Sequence, residues 1–141
     1  MKRSILQAAL LGASLAIAAT GALGQGKVDL GKREYEASCA SCHGLKGTGD
    51  GPSVQYLTRK PTDLTRLAKA NGGVLPVSRL YEAIDGSLTV PGHGTREMPI
   101  WGNQYRVRAA EYYMDIPYDP EAFVRSKILA LIDYISRLQV K

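Results

Sequence analysis

The chain has 141 residues, a formal charge of +5 and only two cysteines. That length bounds it at one ordinary domain. Its mild basicity comes without any Lys/Arg run interleaved with aromatics, which excludes a nucleic-acid-binding signature.

The first 24 residues read as an export signal rather than as part of the domain. Lys2-Arg3 form a basic start, residues 5–19 are apolar and rich in Ala and Leu, and residues 20–24 are mostly small. Cleavage after Ala22-Leu23-Gly24 is the first choice and after Thr20-Gly21-Ala22 the second. The competing reading is an uncleaved membrane anchor. The stretch is barely long enough to span, and Ala and Gly dilute its hydrophobicity. No Cys lies near the cut, so a lipoprotein anchor is not indicated. Residues 25–141 are then the domain, with a formal charge of +3 once Lys2 and Arg3 are gone. Outside the cytoplasm a lone Cys pair is either bridged or capped. A core this small is also marginal by itself, and a large buried cofactor would supply much of the missing apolar contact.

Asp29 is placed to cap a first helix running from about Leu30 towards Cys39. Gly31 and Tyr35, four apart, share one of its faces. Gly31 costs roughly 1 kcal/mol of helix propensity against Ala, tolerable where another helix approaches closely. The helix leads into Cys39-Ala40-Ser41-Cys42-His43. Two thiols at this spacing can add to the two vinyl groups on one edge of a haem, and the adjacent imidazole becomes the proximal iron ligand. Three other readings compete. A redox dithiol needs a βαβ setting, and no strand-rich run is present. A zinc site would have to use adjacent Cys42 and His43 together with Cys39 and His93, unlike the separated pairs zinc favours. A disulfide across so short a loop would stabilise little.

Gly44 to Pro52, with four glycines and a proline, is a loop. No strand precedes it and no Gly-Lys-Ser/Thr follows, so it is not a phosphate cradle. It reads as a wrap around the haem edge, with the carbonyl of Gly51 or Pro52 accepting from Nδ1–H of His43. Thr62 then caps a helix over about 63–71 that Gly72-Gly73 ends. A third helix runs from about Val77 to Asp85, with Leu80, Tyr81 and Ile84 on one face and Gly86 stopping it. Residues 88–94 are loop.

Met98 precedes Pro99, which biases it to extended geometry and leaves its thioether on a loop, suited to the second axial position. Met1 lies in the leader and Met114 reads as packing. His93 is the alternative axial ligand, though between two glycines it reads first as a solvated loop residue. Trp101 is a core residue whose N–H can reach a haem propionate. Residues 104–118 show no clear periodicity and read as an irregular excursion with room for a short helix. Asp119-Pro120 then opens a final helix whose Val124, Ile128, Leu131, Ile135 and Leu138 form one apolar stripe. No strand of consequence is expected.

With these motifs in place the chain resembles the class I c-type cytochromes over most of residues 25–141. The resemblance rests on Cys39 to Gly44, Gly49-Asp50-Gly51-Pro52, Met98-Pro99-x-Trp101-Gly102 and the last helix. Gly31 and Tyr35 on the first helix, with Leu131 and Tyr134 on the last, match the family's helix contact. Residues 60–65 and 92–99 are similar to a bacterial periplasmic subgroup.

The resemblance implies an all-α cytochrome c fold of four or five helices, the first and last packed together, around one covalent haem c. It implies Cys39 and Cys42 as thioether sites, His43 and Met98 as axial ligands, and Pro52 and Trp101 in the haem pocket. The implied function is a periplasmic single-electron carrier, not an enzyme, with redox proteins as donors and acceptors: a dehydrogenase, an oxidase or another respiratory complex. Exposed Lys46 and Lys60 are candidate docking residues. Membrane contact would come only through partners, or at the inner membrane's periplasmic face if the signal stays uncleaved. Two other functions remain open. One is an electron-relay subunit of a larger oxidoreductase, with residues 104–118 as its interface. The other is a haem ligand sensor or peroxidase-like protein, which needs Met98 off the iron.

Overall fold

The structure, a computed structural model, describes residues 27–88, 98–114 and 117–141. The leader and His93 therefore lie outside the described residues. The described chain is helical: α1 (Leu30–Ser38), α2 (Ala40–His43), α3 (Leu67–Ala70), α4 (Val77–Asp85), α5 (Trp101–Tyr112) and α6 (Pro120–Arg137), with 3-10 turns at Pro52–Tyr56 and Leu64–Arg66. No strand occurs among the described residues.

The long terminal helix organises the rest. Asp119 Oδ1 accepts from the amides of Glu121 (2.9 Å) and Ala122 (3.2 Å), satisfying donors that would otherwise be orphaned at its start. Val124, Ile128 and Leu131 are fully buried on its inner face, and that face packs against α1, α4 and α5. Where α1 crosses α6 the two backbones nearly touch. A Cβ at position 31 would overlap the Ala130 carbonyl and come within 3.0 Å of Tyr134 Cβ. Only glycine permits that approach. One turn on, the rings of Tyr35 and Tyr134 lie 5.0 Å apart at 47°, a tilted contact typical of favourable aromatic pairs.

Asp29 caps α1 as expected, accepting from Lys32 N at 3.0 Å. It also receives both arms of Arg137, at 2.6 and 2.9 Å, which ties the start of α1 to the end of α6. The Arg137 hydrogen bond first, then the Lys32 amide, hold the Asp29 carboxyl down at about 2, against an ordinary 3.8. A depressed carboxyl contributes stability in full above its unfolded value and loses it as the pH falls through the folded one. The melting temperature of the wild type should therefore fall more steeply between about pH 4 and pH 2 than that of Asp29→Asn. Parallel slopes in thermal melts would show that the clamp contributes nothing.

Three expectations need correction. Residues 104–118 were expected to be an irregular excursion with room for a short helix, but their first part belongs to a regular three-turn helix, Trp101–Tyr112. Its buried positions Trp101, Tyr105 and Ala109 recur every four residues, but Ala109 is small and exposed Val107 blurs the pattern. Arg106 fixes α5 to the start of α6 through a two-armed bond to Glu121, at 2.8 and 3.1 Å. Met114, expected to pack, is 80% exposed just beyond this helix. In the 63–71 segment the cap is Asp63, which accepts from Thr65 N at 2.9 Å, and not Thr62. That segment begins as a 3-10 turn before becoming α3. α4 ends as read from sequence, with Gly86 at φ 91° supplying the left-handed stop.

Candidate haem site

α2 is a single turn built on the Cys39-to-His43 run, with His43 N bonded to Cys39 O at 2.9 Å. Gly44, at φ 77°, ends it and reverses the chain. The loop that follows folds back onto this turn: Gly49 N donates to His43 O (2.9 Å) and Gly51 N to Cys42 O (3.1 Å). Tyr35 Oη, reaching from α1, donates to Gly44 O at 2.7 Å. The turn's end is thus held both by α1, through Tyr35, and by its own glycine loop.

His43 is only 9% exposed, and its Nδ1 lies 3.1 Å from Thr62 O. A carbonyl can only accept, so the proton sits on Nδ1 and the lone pair on Nε2. This corrects the expected partner. Gly51 O already accepts from Val54 N at 3.0 Å and Pro52 O from Gln55 Nε2 at 3.2 Å, so both are used in the 3-10 turn. The Thr62 carbonyl takes the role because Asp63, and not Thr62, opens the next element.

A cavity of about 490 Å³ opens beside α2, within the range of sites that enclose a small molecule. Cys39, Cys42, His43, Met98 and Trp101 all line it, so five of the six residues expected from sequence meet there. Most of the remaining wall is apolar, including Leu64, Leu80, Ile84, Leu131 and Ile135. Pro52 is the exception. It is exposed at the head of its 3-10 turn and lines no part of the cavity, and buried Pro61 lines it instead. Met98 is half-buried on an extended loop leading into α5, and Trp101, the first residue of α5, is 9% exposed.

Among the described residues, the charged groups on the cavity wall are Arg59, Lys60 and Arg79 and no acid joins them, so the described wall is apolar with a cationic edge. Lys46 is exposed on the glycine loop and does not line the cavity. Sequence reasoning passed over Arg79, although it lies next to Leu80 and four before Ala83 on the face of α4 that lines the cavity. Nothing local pointed to Thr62, whose contact with His43 spans 19 residues.

The donor set fits an edge-attached haem. The Cys39 thiol is pushed up to about 12, by burial first and then by the charges of Glu34 and Cys42. That is opposite to the lowered value a reactive dithiol needs. Among the described residues no group of three or more His, Cys, Asp or Glu is arranged to hold a metal ion.

A helical fold closed by its first and last described helices, around an apolar cavity bearing two thiols, an imidazole and a thioether, is that of a c-type cytochrome. A family model described as cytochrome C oxidase, cbb3-type, subunit III matches residues 26–113. The match covers more than half of the chain, including Cys39, Cys42, His43, Met98 and Trp101, and the chain belongs to that family. No curated protein and no solved structure matches the chain. Membership implies a haem c, electron transfer through it, and protein redox partners. No described helix is long and apolar enough to cross a membrane.

Proposed function

We propose that this protein is a periplasmic mono-haem carrier of single electrons. The observation that carries the reading is the convergence of Cys39, Cys42, His43 and Met98 on one apolar cavity. When bound, haem supplies one-electron cycling between iron(III) and iron(II). Cys39 and Cys42 would hold its edge by thioethers. His43 would be the proximal ligand, kept in the Nδ1–H tautomer by Thr62. Met98 would be the second iron ligand and would close the position that oxygen or peroxide needs. Arg59, Lys60 and Arg79 would meet the two propionates, and the Leu/Ile wall excludes water. Lys46, with any cavity-edge cation the propionates leave over, offers an acidic partner a docking surface. Export rests on the leader, with residues 25–141 as the mature domain.

A second reading is favoured by one observation each from family and structure. The family's description names an oxidase subunit. The end of α5 exposes Tyr112 (79%) and stacks Tyr113 on Tyr118, with centroids 4.8 Å apart. Aromatics at a surface of this kind suit an interface with a larger complex. Native size-exclusion of the periplasmic fraction separates the two: elution as a monomer supports the carrier, co-elution with an oxidoreductase the subunit.

The axial assignment is tested by spectra extended into the near-infrared. Oxidised wild type should show a c-type spectrum with the weak sulfur-to-iron(III) charge-transfer band. Met98→Ala should lose that band, bind CO in the reduced state, and fall in potential by on the order of 0.1 V or more, within the roughly 0.8 V that axial ligation spans. An unchanged spectrum and potential would remove Met98 from the iron.

A further inference from the structure

The most buried acid among the described residues is Glu34 on α1, 9% exposed, and the electron-carrier reading gives it no part. Its Oε1 accepts from Ser38 Oγ at 3.1 Å, and Ser38 lines the cavity next to Cys39. On the other side Lys127 Nζ from α6 lies 3.2 Å from Oε2, and Arg108 from α5 lies 3.5 Å from Oε1. Tyr105 faces the same cluster with a fully buried hydroxyl that completes no hydrogen bond. Three helices therefore converge on one carboxylate, and Ser38 links it towards the cavity.

The arrangement is asymmetric. The Glu34 side chain is 11% exposed, whereas those of Lys127 and Arg108 are 34% and 53% exposed. Water screens the cations far more than the carboxylate, so the field reaching the cavity is dominated by the negative charge. Its reach is visible at Cys39, whose thiol is held up partly by Glu34. Burial alone would raise the Glu34 carboxyl, but the Lys127 ammonium and the Ser38 hydroxyl bring it below its ordinary value. The group is ionised at neutral pH, and stays so until the pH falls through that lowered value.

We propose that Glu34 is a potential-setting residue: a fixed carboxylate behind the cavity wall that favours the oxidised, more positive iron. The inference rests on the electron-carrier reading of the same cavity. Charge and hydrogen bonds outside the first coordination sphere are recognised levers on haem potential. Glu34 touches no ligand and acts through position alone.

The test is a spectroelectrochemical titration of the holoprotein between about pH 6 and pH 8. Glu34→Gln keeps a hydrogen-bond acceptor for Ser38 but removes the charge. It should shift the iron equilibrium towards the reduced form by about threefold to tenfold, about 30–60 mV upward at 59 mV per tenfold for one electron. The near-infrared band should be unchanged, and Glu34→Asp should return the potential towards that of wild type. An unmoved or lowered potential in Glu34→Gln, with that band intact, overturns the role of Glu34 while leaving the carrier reading standing. Absence of a c-type spectrum in the wild type would sink both. Should Glu34→Gln not accumulate, Glu34→Met decides by the same reading: a raised potential supports the role of the charge, and an unmoved or lowered one with that band intact rules the proposal out.

Discussion

A Cys39→Ser, Cys42→Ser double variant is expected to carry no covalent haem and to lose cooperative folding. The first outcome follows from the proposed thioethers and is read by haem staining after denaturing electrophoresis. The second follows from the cavity itself. Left dry and unfilled, about 490 Å³ would cost on the order of 10 kcal/mol at roughly 24 cal/mol per Å³. That is comparable to the whole stability of a domain, about 5–15 kcal/mol. Water entry and collapse reduce this figure, but both replace defined packing with a looser state. Near-UV circular dichroism should therefore vanish while part of the far-UV helical signal survives, the signature of a molten form. Retained stain would reject the cysteine assignment. A sharp thermal transition without haem would show that the helices close on their own contacts.

Gly31→Val should destabilise the folded protein by about 3 kcal/mol or more, although valine is the better helix former. Its Cβ would overlap the Ala130 carbonyl, a backbone atom inside a helix, so no rotamer change relieves the clash. α1 would have to lift away from α6, separating the rings of Tyr35 and Tyr134. It would also disturb the Tyr35 bond to Gly44 that fixes the haem-binding turn. Urea denaturation at neutral pH measures the effect, and a midpoint equal to wild type would contradict the observed crossing.

What could be read from the sequence was whatever local chemistry determines. Asp29 and Asp119-Pro120 announce helix starts with their own side chains, and Gly86 announces a stop. The Cys39-to-His43 spacing carries its chemistry within five residues. The stripe from Val124 to Ile135 is long enough to define its face without help. The helix at Trp101–Tyr112 was missed because its inward face carries only three side chains, one of them Ala109, between charged and exposed neighbours. The spacing of four from Trp101 to Tyr105 to Ala109 was the available signal. The partner of His43 was missed for another reason. Glycines beside the motif made Gly51 and Pro52 attractive, but both carbonyls are used locally. Thr62 meets the imidazole only once the chain has folded back. Nothing local marks Glu34, since its partners Arg108 and Lys127 lie far along the chain.

The clamp between Asp29 and Arg137 joins residues 108 apart, and α1 meets α6 at a close backbone approach with no slack. Forming that contact means closing nearly the whole described chain into one loop. The entropy of such a closure grows only logarithmically, about 0.6 kcal/mol for each doubling of length. Gly72-Gly73, where an added Cβ would meet nothing within 4 Å, lies in the middle of this loop. Extra residues there lengthen a path that is already long and disturb no packed atom. One methyl group at the crossing of the first and last described helices costs more than many residues inserted midway between them.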